Sequence, residues 1–240
     1  MNSGRLGVRG LGAAHDERRR SIVAAVLDLI DTAGIDQVSI RNVAHRAGVS
    51  PGRVQHYFPT KDALLSEAFN AISDRGAARV RARHADGPAV VLRELLGGLI
   101  PHNEEEVRLF RIARAFEAYA IPRPHLREQL TRGYEDLADL IALLLRDILR
   151  PEQDAPSPFL AEAHELLALT IGLAELVVSG NITPEQADRI AARRLADTLS
   201  PHLPSGEADR RTPVTALLSA LRHSATTVIP AVDHLEGCPP

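Results

Sequence analysis

Twelve residues, Ser39-Ile40-Arg41-Asn42-Val43-Ala44-His45-Arg46-Ala47-Gly48-Val49-Ser50, constrain the fold more than any other stretch of the chain. Ser39 is a residue type that caps helices, and Ile40, Val43, Ala44 and Ala47 recur at the spacing of one helical face. Gly48 then tolerates the left-handed backbone in which helices end. Val49 is placed to plug the turn and Ser50 offers a second cap. Pro51 falls at the first position of the next helix, where its missing N–H is no loss. Small Ala44 and Ala47 let the two helices approach closely. Two caps and one glycine at this spacing predict a helix-turn-helix, with helices at about 39–47 and 50–57.

The second of these helices divides by its period. Val54 and Phe58, four apart, face a core, which leaves Arg53, Gln55, His56 and Tyr57 outside. Arginine pairs bidentately with guanine and glutamine with adenine, while tyrosine and histidine can hydrogen-bond phosphate, so this set suits a reader of the major groove. Gly52 removes a side chain where the helix start, Ser50-Pro51-Gly52, would approach a duplex. Charge is distributed in the same sense. The whole chain carries a formal net charge of −3, but Lys and Arg outnumber Asp and Glu up to Lys61 and are outnumbered after it. Lys61 itself is the only lysine beside many arginines, next to the capping residue Thr60, where a compact ammonium can reach phosphate. Arg18, Arg19 and Arg20, at the amino end of a helix, are poor partners for its dipole and favour phosphate contact.

From about Arg18 to Phe69 the sequence resembles the TetR family of repressors. The resemblance is carried by an amphipathic first helix, by Val-Ala-x-x-Ala-Gly-Val-Ser at 43–50, and by Tyr-Phe-Pro-Thr-Lys-Asp-Ala-Leu at 57–64. It implies that Arg41, Arg53 and Gln55 touch bases and that Ser39, Tyr57 and Lys61 hold phosphates. Two features depart from the family pattern: Gln55-His56-Tyr57 stands where Tyr-Tyr-His is common, and Pro51 has no polar side chain. An operator sequence therefore cannot be carried over. The C-terminal half resembles choline-responsive members, although a quaternary amine calls for an aromatic cage and the chain has no Trp.

Gly and Pro divide the rest into helical segments, giving an all-α expectation: a three-helix DNA-binding domain joined to a larger helical domain for ligand binding and dimerisation. Residues 1–14 are expected as a flexible arm, 15–59 as the helix-turn-helix domain, 60–200 as the larger domain and 201–240 as a mostly flexible tail with one short helix near 212–222. The first helix should start near Asp16 and bury Ile22, Val26, Leu29, Ile30 and Ala33. A longer one should run from Thr60 to Gly87-Pro88, and others cover about 88–100, 104–120, 124–149, 158–179 and 184–199.

Enzyme chemistry has no foothold. The single cysteine, Cys238, builds no disulfide framework or cysteine zinc site within one chain, and the ten histidines are scattered. Gly7-Val8-Arg9-Gly10-Leu11-Gly12 follows no strand and has the wrong spacing for a dinucleotide loop. No catalytic, metal or cofactor site is expected. Without an apolar run of membrane length or a hydrophobic leader core, a cytoplasmic protein is expected.

In the C-terminal half, Thr183-Pro184-Glu185-Gln186 reads as a capping box opening a helix. Its apolar positions Ala187, Ile190, Ala191 and Leu195, with Leu167, Ile171, Ala174 and Val178 of the preceding helix, exceed what one core needs. They are expected to form a four-helix interface with a second copy, a wider core within one chain being the alternative. An effector pocket is expected among the helices of 104–179, with Phe110, Arg114, Phe116, Tyr119, Tyr134 and Thr170 as its walls. Arg108, Arg111, Arg114 and Glu117 read first as a solvated charged face and only second as contacts for a polar or anionic ligand. The partners implied are double-stranded operator DNA, a second copy and an unidentified small molecule. The alternative function is a helical protein-interaction module of the same fold that does not bind DNA.

Overall fold

The computed structural model describes residues 7–149 and 159–200, and regular structure among them is helical throughout. In chain order the helices are α1 (Gly7–Ala33), α2 (Ile40–Arg46), α3 (Pro51–Tyr57), α4 (Lys61–Ala82), α5 (Pro88–Gly97), α6 (Glu104–Ala120), α7 (Pro124–Leu149), α8 (Leu160–Val178) and α9 (Pro184–Leu199), with single 3-10 turns at Ile35–Gln37 and His84–Asp86. No described helix is long and apolar enough to cross a membrane. The segments 1–6, 150–158 and 201–240, which include most of the interhelical Pro-rich run, Cys238 and the short helix expected near 212–222, lie outside the described residues.

The largest departures from the boundaries read in the sequence are at α1 and α4, while α5 also stops three residues early, at Gly97. α1 begins at Gly7 rather than near Asp16. Glycines lower helix propensity by about 1 kcal/mol each, but no proline interrupts the segment, so the α1 helix propagates backward from a well-anchored body. α4 ends at Ala82, short of Gly87-Pro88, because Arg81, Arg83, His84 and Ala85 are exposed and offer no apolar face to continue the packing. Of the face expected on α1, Ile22, Val26 and Ile30 are buried, Leu29 is half-buried and Ala33 is exposed where the helix runs out into its turn.

The apolar interior does not respect a division at residue 59. One cluster gathers Ile22, Val26 and Ile30 of α1, Val43 and Ala44 of α2, Val54 of α3 and Leu64, Leu65 and Ala68 of α4. It continues into Ile112, Phe116 and Ala120 of α6 and Leu126 and Leu130 of α7. Phe116 is stacked on Phe69 of α4, with ring centres 4.5 Å apart and planes 17° from parallel. A second cluster is built from α5, α7, α8 and α9, and a third joins Ile100 and Leu173 to Ala187 and Ala191.

Charged groups reinforce the same junction. Asp31 of α1 accepts from Arg108 Nε at 3.0 Å and from Arg111 at 3.1 Å, both on α6. Arg75 and Arg79 of α4 pair with Glu105 and Glu106 at 3.4 and 3.0 Å. The regularly spaced arginines of α6 are therefore divided: Arg108 and Arg111 clamp α1, and only Arg114 faces α7.

At the other end of the bundle, His102 bridges the α5–α6 connection to α9 through Asp188, Nε2 to Oδ2 at 2.9 Å, while its backbone N–H donates to Glu106 at 2.8 Å. The hydrogen bond it donates to Asp188 holds the His102 imidazolium pKa above its ordinary range against the opposing effect of burial, with the Asp188 and Glu106 charges adding to it. A histidine pKa raised by folding contributes stability that is complete below the ordinary value and disappears as pH rises through the raised one. The difference in denaturant midpoint between the parent and Asp188→Asn is accordingly expected to be largest at about pH 6 and to shrink by about pH 9. Urea titrations at the two pH values check it, and a pH-independent difference would rule the bridge out.

Candidate nucleic-acid interface

The caps read in the sequence form in the structure. Ser39 accepts from the Asn42 N–H at 3.2 Å and opens α2, whose Asn42 side chain donates to the Gln37 carbonyl at 2.8 Å. Gly48 takes φ 65°, which turns the chain. Ser50 accepts from the Arg53 N–H at 3.2 Å and opens α3 with Pro51 at its start. Val54 and Phe58 are buried in the common core, which fixes the rotation of α3 about its axis. Pro51, Gly52, Arg53, Gln55 and His56 are thereby exposed, Tyr57 is half-buried, and Ser50, Gly52, Arg53, His56 and Tyr57 line one concave patch. Arg41 is exposed on α2.

Neighbouring cations are not equally free. Arg46 pairs with Asp28 of α1, and that hydrogen bond holds the Asp28 carboxyl below the usual carboxylate range. Arg19 pairs with Glu67 at 2.8 Å and lies over the Phe58 ring, 5.6 Å from its centre, so it takes part in the packing of α1 on α4. Arg41 and Arg53 make no ion pair with any described residue, so their full charge and donor sets face outward. Lys61 is engaged differently from expectation: its Nζ donates to the Asp36 carbonyl at 3.2 Å and sits 5.3 Å from the centre of the Tyr119 ring. Sequence reading missed His15, whose ring lies 4.6 Å from that of Tyr57. The two are far apart in the chain, and it is the packing of α1 that brings His15 alongside α3.

The six expected pocket residues do not meet in one place. Phe116 is a core residue stacked on Phe69, Tyr119 lies at the junction with Lys61, and Thr170 is buried with its hydroxyl donating to the Leu166 carbonyl at 2.7 Å. Phe110, Arg114 and Tyr134 remain together. Arg114 lies over Phe110, 5.3 Å from the ring centre, donates to the Tyr134 hydroxyl at 2.8 Å and pairs with Glu117, to which Tyr134 donates at 2.8 Å. Burial pushes the Glu117 carboxyl up despite the opposing Arg114 charge. Arg114 Nε and Glu162 Oε2 are buried without a partner among the described residues.

The expected dimer set needs a correction as well. Leu167, Ala174, Ala187, Ala191 and Leu195 are buried inside the protomer, because α5 and α7 cover the inner faces of α8 and α9. Ile171 and Val178 are half-buried, and of the eight only Ile190 is well exposed, at 43%. Leu160 and Leu176, which belong to the wide apolar surface of α8 but not to the eight, are exposed at 36% and 41%.

Residues 22–81 match the model for bacterial regulatory proteins of the TetR family, and residues 88–200 match the C-terminal model of BetI-type transcriptional repressors. The HTH-type transcriptional regulator PksA of Bacillus subtilis is 32% identical over 164 residues, covering 67% of this chain and 78% of that protein. BetI 1 of Chromohalobacter salexigens is 32% identical over 183 residues, covering 75% and 86%. A solved transcriptional regulator from Rhodococcus sp. Rha1 superposes with a TM-score of 0.66 at 28% identity, over 76% of this chain and 96% of that one. With paired caps, an outward-facing α3 and matches along both halves, the chain belongs to the TetR family: it is a helix-turn-helix, DNA-binding transcriptional regulator with a BetI-type C-terminal domain.

Proposed function

We propose that the protein is a homodimeric repressor that lays α3 of each copy into the major groove of a palindromic operator and lets go when a small molecule binds between α6 and α7. The observation that carries the DNA half is the pair of exposed, unpaired arginines, Arg41 and Arg53, beside Gln55 and His56 on a helix whose rotation is fixed by Val54 and Phe58. Arg41, Arg53 and Gln55 read base edges, while the Ser39 and Ser50 hydroxyls, the Pro51-Gly52 helix start, Tyr57 and Lys61 meet the backbone. On this reading the protein acts in the cytoplasm, at the chromosome.

Two copies are needed to place two reading helices about 34 Å apart, one helical turn of DNA. The surface proposed to join them is the outer face of α8 and α9. Exposed Ala161, Ala168 and Gly172 allow close approach there, and Leu160, Leu176 and Ile190 supply the apolar contact. The proposed effector site is the Phe110, Arg114, Glu117 and Tyr134 cluster. Its partly desolvated charges and the unpartnered Arg114 Nε favour a ligand with polar groups of its own. Release follows if effector and DNA prefer different arrangements of α6 against α1.

Fluorescence anisotropy with the DNA flanking its own gene tests the reading. Arg53→Ala and Gln55→Ala should each lower discrimination by about 1–3 kcal/mol at a single base pair. Affinity that does not fall with salt would reject the DNA reading, since phosphate contacts release counterions. Separately, Ile190→Glu should convert the dimer to a monomer in sedimentation velocity and abolish tight operator binding. A dimer that survives Ile190→Glu together with Leu176→Glu would place the interface elsewhere.

A further inference from the structure

Lys61 is seated by residues remote from it in the chain. Its ammonium donates to the Asp36 carbonyl, from the turn before α2, and lies 5.3 Å from the ring centre of Tyr119, from the last turn of α6. Arg123 places its guanidinium carbon 3.4 Å from the same ring centre. The Tyr119 hydroxyl donates to Asp62 Oδ1 at 3.0 Å, and the other oxygen of that carboxylate meets His125 Nε2 at 2.8 Å.

The arrangement has two effects on the ammonium. Asp62, its chain neighbour and the nearest counter-ion in sequence, has both oxygens occupied by Tyr119 and His125, and Lys61 makes no ion pair with any described residue. The positive charge is therefore left uncompensated. An ammonium also has three N–H donors. One is taken by the Asp36 carbonyl, the face of the Tyr119 ring attracts the charge without accepting a conventional hydrogen bond, and donor capacity remains for an outside acceptor. Lys61 is half-buried, so that acceptor can reach it. A lysine held in advance also loses less side-chain freedom when it binds.

We infer that Tyr119 is a positioning residue for DNA affinity: from α6 its ring seats the Lys61 ammonium, so that Lys61 can grip a phosphate. This rests on the reading of Lys61 as a phosphate anchor. It makes the strength of that grip depend directly on where α6 stands.

The test uses the full chain and two duplexes, the DNA flanking its own gene and an unrelated one of equal length, titrated by anisotropy from about 50 to 200 mM salt. Lys61→Ala should weaken both duplexes alike and reduce the slope of log affinity against log salt by about 0.9 for each phosphate no longer neutralised. Tyr119→Leu should reproduce that slope reduction with a loss of about threefold or more. Tyr119→Phe, which keeps the ring while His125 still engages Asp62, should restore the parent slope. Tyr119→Leu added to Lys61→Ala should change nothing further. If Lys61→Ala leaves affinity and slope as they were, the phosphate grip itself is wrong and the seat falls with it. If Lys61→Ala behaves as expected but Tyr119→Leu keeps the parent slope, binds more tightly, or weakens the Lys61→Ala protein again, the seat alone is wrong. Thermal melts accompany each variant, and Tyr119→Met, which preserves bulk without an aromatic face, replaces Tyr119→Leu should that fail to fold.

Discussion

Phe116 stacked on Phe69 joins a helix of the BetI-type C-terminal domain to a helix of the DNA-binding half, and the remaining contacts are arranged around that pair. The ring of Phe116 is among the largest fully buried side chains of the protein, in the same cluster as the residues that close the helix-turn-helix. Because interiors are close-packed, α6 cannot shift without α1 and α4 shifting or the core opening. Asp31, gripped by Arg108 and Arg111, adds a polar constraint on the same interface. Partly exposed ion pairs of this kind contribute little stability, of the order of 1 kcal/mol or less, but they have direction and so fix how α6 lies across α1. Apolar stacking supplies the adhesion and the charged pairs supply the register.

This shared core alters what a DNA-binding domain means here. The helix-turn-helix completes its own interior only with Ile112, Phe116, Ala120, Leu126 and Leu130, so the boundary at residue 59 is a boundary in sequence and not in packing. Regulation in such a molecule need not cross a hinge. Arg114 and Glu117, which with Tyr134 of α7 form the proposed effector cluster, lie on α6 within one turn of Phe116 and Tyr119, so on that proposal a change there would reach the reading half through side chains of the same helix.

What the sequence made legible was everything governed by neighbours in the chain. The Ser39 and Ser50 caps, the Gly48 turn, the Thr183-Gln186 capping box and the helices at 104–120, 124–149 and 184–199 all depend on local periodicity and end chemistry, and each is found where the pattern puts it. Long-range questions were not legible. That Leu167, Ala187 and Leu195 face inward while Ile190 faces outward depends on α5 and α7 arriving over them, which no pattern within α8 or α9 encodes. Arg19 and Arg53 are the same residue type in the same basic region, yet Glu67 claims one and leaves the other free. The lone lysine was conspicuous by composition, but its seat on Tyr119 and Asp36 came from segments no local signal connects.

α1 runs unbroken from Gly7 to Ala33, and it is held at both functional ends: near its C-terminus Asp31 is clamped to α6, and toward its N-terminus the His15 ring rests on Tyr57 of α3. At about 1.5 Å per residue these two attachments stand roughly 24 Å apart along one rigid axis. A rod so mounted converts an angle at its α6 end into a distance at its α3 end. A tilt of about 10° about the clamped end would carry the His15 end sideways by about 4 Å over that span, comparable to the spacing of successive base pairs. Small angular adjustments at α6 would thus become displacements at the reading surface on the scale of one step of the operator.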